Sequence, residues 1–137
     1  MRTRLPPSPT GFLHVGNLRT ALYCYLLAKK TNDNFLLRIE DTDRERLVEG
    51  AVESICKVLS WAGIPPDEGV MLDESGNVTQ KGDKGPYIQS ERLDIYKKYA
   101  DQLLERGHAY YAFDTPEEIE QMREDQKKAG NPAPKYD

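Results

Sequence analysis

Cysteine is nearly absent from this chain. Cys24 and Cys56 are its two thiols in 137 residues, far apart and each inside a helical apolar pattern. That spacing excludes a cysteine-built metal or redox site, and both thiols are expected in the core. No apolar run is long enough to cross a bilayer, and the charged, proline-rich start does not look like a secretory leader. A reducing compartment is therefore expected, the cytoplasm or an organelle matrix after import, with no membrane partner. Positive charge is not in excess either. The formal net charge of -4 argues against a general polyanion binder, so a nucleic-acid partner would have to meet a local basic patch. Repeats and low-complexity tracts are missing. What remains is a chain of single-domain size, 31% charged and 38% hydrophobic, able to bury roughly two-thirds of its extended surface if it folds alone.

The most informative segment is Arg4-Leu5-Pro6-Pro7-Ser8-Pro9-Thr10-Gly11-Phe12-Leu13-His14-Val15-Gly16-Asn17. Pro6, Pro7 and Pro9 hold the backbone extended and away from helix after the short run 2–5, so a strand stops there. Gly11 permits a turn, and after Gly16-Asn17 the residues Leu18, Leu22, Tyr25 and Leu26 recur at helical spacing. His14 thus lies just ahead of a helix N-terminus, whose unpaired amides and partial positive charge suit a triphosphate. An imidazole there can donate to oxygens that gain charge during displacement at an α-phosphorus, and Gly16 lets an adenine or ribose approach the backbone. Taken singly, a histidine beside a glycine before a helix is more often a turn or cap residue, and the prolines could form a stiff arm.

A second segment raises the odds of function. Asn34-Phe35-Leu36-Leu37-Arg38-Ile39-Glu40 reads as a buried strand between two helical patterns, and it runs straight into Asp41-Thr42-Asp43-Arg44-Glu45-Arg46. In open α/β sheets ligands bind at the C-terminal ends of strands, so Glu40 is placed to meet a substrate ammonium while the later charges meet something at the rim. The alternative is a solvated, self-paired charge run. A calcium loop is rejected: counted from Asp41, Arg46 stands where glycine is needed and Val52 where glutamate is needed.

Further along, 49–61 is a helix by Val52, Ile55, Val58 and Leu59, stopped at Gly63 before Pro65-Pro66. The stretch 67–85 lacks periodicity and reads as a mobile excursion or a small hairpin turning at 73–77. Ser90 is placed to cap a helix running to Arg106, with Leu93, Tyr96, Ala100, Leu103 and Leu104 on its buried side. A short strand over 109–113 follows, then a capping box at Thr115-Pro116-Glu117-Glu118 and a last helix to about Ala129.

In sum these residues resemble class I aminoacyl-tRNA synthetases, and within them the bacterial-type glutamyl-tRNA synthetase. His14-Val15-Gly16-Asn17 is similar to the class signature His-Ile-Gly-His, with Asn17 in the last place, a usual substitution in this subfamily. Ser8-Pro9-Thr10-Gly11, Arg19-Thr20-Ala21-Leu22, 38–46, Gln89-Ser90-Glu91-Arg92-Leu93-Asp94-Ile95-Tyr96 and Tyr136-Asp137 match the same pattern in order, over nearly the whole chain. The resemblance implies an α/β fold: a Rossmann-like nucleotide-binding domain with an incomplete parallel sheet over 1–107, then the start of an inserted acceptor-binding α/β subdomain over 108–137.

It also implies roles. Arg4 is similar to the arginine that pairs with the side-chain carboxylate of L-glutamate, Glu40 to the acid that holds its ammonium, and Ser8 to a neighbouring polar contact. Thr10, His14, Gly16 and Asn17 resemble the ATP-contacting set, with His14 and Asn17 as the catalytic pair; Arg44 and Arg46 fall where the family approaches the tRNA acceptor end. The substrates implied are L-glutamate, ATP with its Mg2+, and tRNA(Glu). Zinc is not expected, because Ala112 and Asp114 stand where some relatives begin a Cys-x-Cys knuckle. Leu5-Pro6 departs from the aromatic-alanine pair usual in bacterial glutamyl enzymes; the Pro6-Pro7 pair looks more like the glutaminyl and archaeal branches and removes an amide donor at Pro6. A glutamyl-queuosine tRNA-modifying paralogue is the nearest rival, but it more often has isoleucine at the Thr42 position and another residue at Glu91. A non-catalytic binding remnant is the third reading.

The chain is expected to stop within the insertion, without the second half of the sheet, the Lys-Met-Ser-Lys-Ser-type loop or an anticodon domain. This polypeptide alone is accordingly expected not to charge tRNA. ATP/pyrophosphate exchange with glutamate and tRNA(Glu) checks this, and turnover by the isolated chain would refute it.

Overall fold

Three strands run parallel and a fourth returns against them. In the computed structural model, which describes residues 1–136, β1 (Thr3–Leu5), β2 (Phe35–Leu37) and β3 (Glu68–Leu72) pair in parallel, and β4 (Val78–Lys81) pairs antiparallel with β3. The spatial order is β1-β2-β3-β4. Helix α1 (Val15–Lys30) connects β1 to β2, and α2 (Ala51–Trp61) connects β2 to β3. Two successive strand-helix-strand crossovers in one open sheet make this a Rossmann-like arrangement. Helices α3 (Leu93–Glu105) and α4 (Pro116–Lys128) follow. Residues Met1–Lys98 form one compact unit and a second begins at Tyr99. Asp137, the last residue of the family-like match, lies outside the described residues.

Period-2 alternation sorts the strands. Leu5, Phe35, Leu37 and Val70 are buried and pack with Ala21 and Ala28 of α1 and with Ile55 and Leu59 of α2. Tyr25 meets Phe35 edge-on, with centroids 5.8 Å apart. The β2–β3 approach is so close that a methyl at Gly69 would lie 2.0 Å from the Leu37 carbonyl oxygen, and Gly69 has φ +103°. Only glycine fits there.

Several expectations need correction. Leu22 and Leu26 are exposed, and α1 packs instead through Ala21, Ala28 and the half-buried Leu18 and Tyr25. Apolar residues lie on more than one side of this helix, so spacing alone could not select the inward face. Cys56 is a core thiol, pushed up to about 11 by burial and by Glu53, whereas Cys24 is only half-buried. The 67–85 stretch is the hairpin alternative: β3 enters the core through Val70, and Asp73 accepts from the Asn77 and Ser75 amides to close the turn. The Asn77 amide is the main cause of an Asp73 carboxyl held below its ordinary range. A 3₁₀ turn at Gln89–Arg92 precedes α3, and Ser90 donates to Asp41 rather than capping the helix. Leu93, Tyr96, Ala100 and Leu103 are exposed; Leu104 is half-buried. No strand forms over 109–113, and Tyr110, Tyr111 and Phe113 are exposed, because a strand needs a partner edge. The capping box on α4 is present as read, with Thr115 and Glu118 bonding reciprocally at 2.7 and 3.2 Å.

Asp67 ties three elements at the N-terminal side of the sheet. Its carboxylate accepts from the Phe35 amide at 2.8 Å and pairs with Lys29 at the end of α1, while its own amide donates to the Phe35 carbonyl at 2.9 Å. Burial pushes the carboxyl up, but Lys29 and the Phe35 amide together outweigh it and hold the carboxyl below 3.8. With its folded value depressed, the group stabilises the fold fully above about 3.8 and loses that effect as pH falls through the lower folded value. Asp67→Asn is expected to cost about 1 kcal/mol near neutrality, after allowance for its partial exposure, and almost nothing in strong acid. Urea unfolding of both forms at the two pH extremes checks this; an equal loss at both would remove the charge from the account.

Candidate active site

The proline-rich segment continues the sheet without being a strand. Arg38 donates its amide to the Leu5 carbonyl at 3.1 Å, Glu40 to Pro7 at 2.9 Å, and Val48 to Pro9 at 3.0 Å. A proline has no amide to give, yet its carbonyl remains a full acceptor. The segment therefore lies beside 38–48 with one edge bonded, and it delivers Ser8 and Thr10 to the start of α1.

His14 is the N-cap of α1. Its backbone is extended, at φ -100° and ψ 166°, and its Nδ1 accepts from the Gly16 amide at 3.1 Å. Use of Nδ1 as the acceptor places the proton of the neutral ring on Nε2, which becomes a donor. A methyl on Gly16 would lie 2.8 Å from Cε1 of that ring. Gly16 thus makes space for the imidazole itself. The cap and turn alternative weighed for His14 is thus real, and it orients the ring. Ser8, Thr10, Gly11, His14, Asn17 and Ile55 line a cleft of about 290 Å3. A neighbouring cleft of about 360 Å3 shares Ser8, Thr10 and Asn17 and adds Pro6 and Thr20.

Arg4 and Glu40 meet on adjacent parallel strands or their continuation. Arg4 Nη2 lies 3.9 Å from Glu40 Oε1, and Arg38 Nη2 lies 2.6 Å from the same oxygen. Arg4 lines a cleft of about 330 Å3 with Arg2, Leu36, Arg38, Lys84 and Arg92, apart from the cleft that holds Ser8 and His14. Ser8 lines the cleft that holds His14. Arg2 is ion-paired to the buried Glu68, which also accepts from the Tyr87 hydroxyl.

The acidic run after β2 divides. Asp41 accepts from the Ser90 amide at 2.8 Å and its hydroxyl at 2.5 Å, so it joins the run to the turn before α3. Asp43 accepts from Arg46 Nε at 2.6 Å; that bond holds the Asp43 carboxyl below its ordinary range and the Arg46 guanidinium above its own. Arg44 makes no ion pair among the described residues and lines a cleft of about 180 Å3 with Asp41, Thr42, Ser90 and Tyr96. The self-paired alternative thus describes Asp43 with Arg46 and Glu40 with Arg38, but not Arg44. No group of three His, Cys, Asp or Glu side chains suited to a metal occurs among the described residues. Asp114 instead accepts from Tyr136, whose phenol is pushed up to about 12. Among those residues, no helix is long and apolar enough to cross a membrane. Sequence reasoning missed a role for Arg38, although its place two residues before Glu40 was signal enough to put both on one strand face.

Known proteins share this sequence and geometry. A family described as "tRNA synthetases class I (E and Q), catalytic domain" matches residues 1–137. The glutamate–tRNA ligase of Finegoldia magna is 58% identical over all of this chain, and that of Clostridioides difficile is 57% identical over all of it; the chain spans 28% of each. A crystal structure of a glutamate tRNA ligase from Elizabethkingia meningosepticum, in complex with its amino acid, superposes with a TM-score of 0.78 at 46% identity, over 96% of this chain and 24% of that one. The chain therefore covers about a quarter of the length of these relatives. With the family pattern spanning every residue, and the parallel sheet and His14-capped helix in place, the chain belongs to the class I tRNA synthetases (E and Q), in their catalytic domain.

Proposed function

We propose that the protein carrying this chain is a glutamate–tRNA ligase: it activates L-glutamate with ATP and passes the glutamyl group to the 3′ end of tRNA(Glu). One observation carries the reading: Thr10, His14 and Asn17 share a cleft at the start of α1, while a cation and an anion, Arg4 and Glu40, come within 3.9 Å on neighbouring strands. The names of the relatives support the ligase over a queuosine-modifying paralogue or a non-catalytic remnant. The cytoplasm is the compartment proposed.

Glutamate presents a side-chain carboxylate and an ammonium, which Arg4 and Glu40 complement, with Ser8 as a nearby polar contact. The glutamate α-carboxylate attacks the α-phosphorus of ATP and pyrophosphate leaves; the terminal ribose hydroxyl of the tRNA then attacks the acyl carbon and AMP leaves. His14 Nε2–H and the Asn17 amide donate to phosphate oxygens that gain charge in the first step. Thr10 and Gly16 border the nucleotide. Mg2+ arrives on the ATP phosphates and needs no protein cage of its own. Arg44, free of an ion pair among the described residues, and Arg46 are assigned to the tRNA acceptor end, and 108–137 to the beginning of the insertion that covers it.

Two sets of variants test this by glutamate-dependent ATP/pyrophosphate exchange, with tRNA present, in the complete natural protein. Glu40→Gln is expected to raise the KM for glutamate about ten- to a hundredfold, the equivalent of one charge-assisted bond, with little change for ATP. An unmoved glutamate KM would remove Glu40 from the site.

His14→Ala is expected to lower the rate about a hundred- to a thousandfold. Gly16→Ala should approach that loss, since the added methyl displaces the imidazole, with little change in melting temperature, because the preference for alanine over glycine in a helix, about 1 kcal/mol, is offset by loss of the His14 cap. Full activity in Gly16→Ala would show that the capped position of His14 is not the productive one.

A further inference from the structure

We propose that Arg38 is a positioning residue for glutamate binding: it holds Glu40 by one carboxylate oxygen and leaves the other for the substrate ammonium. This rests on the role given to Glu40 above. The two side chains are two residues apart in an extended segment and so project to the same side. Their backbone is fixed on both edges. Arg38 and Glu40 donate to the Leu5 and Pro7 carbonyls on one side, while Ile39 donates to the Tyr87 carbonyl at 2.9 Å and accepts from the Gln89 amide at 2.9 Å on the other. Neither residue can shift along the strand without breaking a ladder bond.

Within that frame the Arg38 guanidinium reaches Glu40 Oε1 at 2.6 Å. Both side chains are mostly buried, at 20% and 29% exposure, so the pair is less screened than a surface one. Arg4 stands farther off, 3.9 Å from the same oxygen, and is the more exposed at 44%. This asymmetry separates two arginines that charge alone would treat alike. Arg4 can turn to a substrate carboxylate without freeing Glu40, because Arg38 still holds it. The Arg38 Nε is buried without a hydrogen-bond partner, so the contact with Glu40 is the polar bond that orients this guanidinium among the described residues. An ammonium arriving at Oε2 would complete an alternating row of charges, Arg38, Glu40 and substrate. Arg38 touches neither reacting atom nor nucleotide in this account; it acts through Glu40.

The test is a double-mutant cycle on glutamate-dependent exchange in the complete natural protein. Arg38→Gln is expected to raise the KM for glutamate about tenfold, with kcat and the KM for ATP within about twofold of wild type, and to add nothing when placed on Glu40→Gln. Arg38→Lys, which keeps the charge but not the fork, should fall between, about threefold above wild type. If the glutamine variant does not fold, the lysine variant alone carries the test, and an unmoved glutamate KM there would overturn the proposal. Increments that simply add in the double variant would overturn it as well, and so would a parallel loss of kcat, ATP affinity and melting temperature, the mark of a merely structural residue. An active wild type with an unchanged Arg38→Gln would overturn this inference alone; a wild type without exchange would overturn the ligase reading and this inference with it.

Discussion

Three carbonyls, those of Leu5, Pro7 and Pro9, accept from the amides of Arg38, Glu40 and Val48, and the place of every candidate functional side chain depends on that ladder. It continues the β1–β2 pairing past the end of β1 through carbonyls alone at Pro7 and Pro9, which have no amide to return. Its register sets Arg4 opposite Leu36 within the sheet and Glu40 beside Pro7 beyond it. The same strip of chain then turns to begin α1, where His14 caps the helix. A slip of one residue would turn Glu40 and Arg38 to the packed side of the sheet, where unpaired charge is expensive.

Most ionic groups around this frame serve it. Glu68 is buried and answered by Arg2 and Tyr87, Asp67 by Lys29 and the Phe35 amide, and Asp41 by Ser90. Each joins segments far apart in sequence. Against that background the Arg4–Glu40 contact is the looser one, at 3.9 Å. A loose pair exchanges its partners more readily than the tight ones around it.

Where local chemistry decides, the sequence was readable. The proline stop after β1, the capping box at Thr115 and the helix end before Gly63 follow from residues within a few positions of one another. Where partners decide, it was not. The 109–113 run has strand-like residues but no edge to pair with, and α1 is apolar on more than one side, so spacing could not say that Ala21 and Ala28 face inward. The strand signal of β3 was diluted by Glu68 and Gly69, one answered by Arg2 and the other required by a carbonyl 2.0 Å from its missing methyl. In the site, the place of His14 just ahead of a helix followed from the residues around it, but the approach of Arg4 to Glu40 and the hold of Arg38 on Glu40 depend on side-chain directions that only the folded chain supplies.

Strand β1 is three residues long, and the chain beyond it stays bonded to the segment that follows β2 through carbonyls. Leu5, Pro7 and Pro9 turn toward that segment, and two of these three have no amide to return. Each of those bonds therefore runs one way, so the proline strip is held against its neighbour without the two-way ladder of a true strand, and is left free to bend into the turn that starts α1.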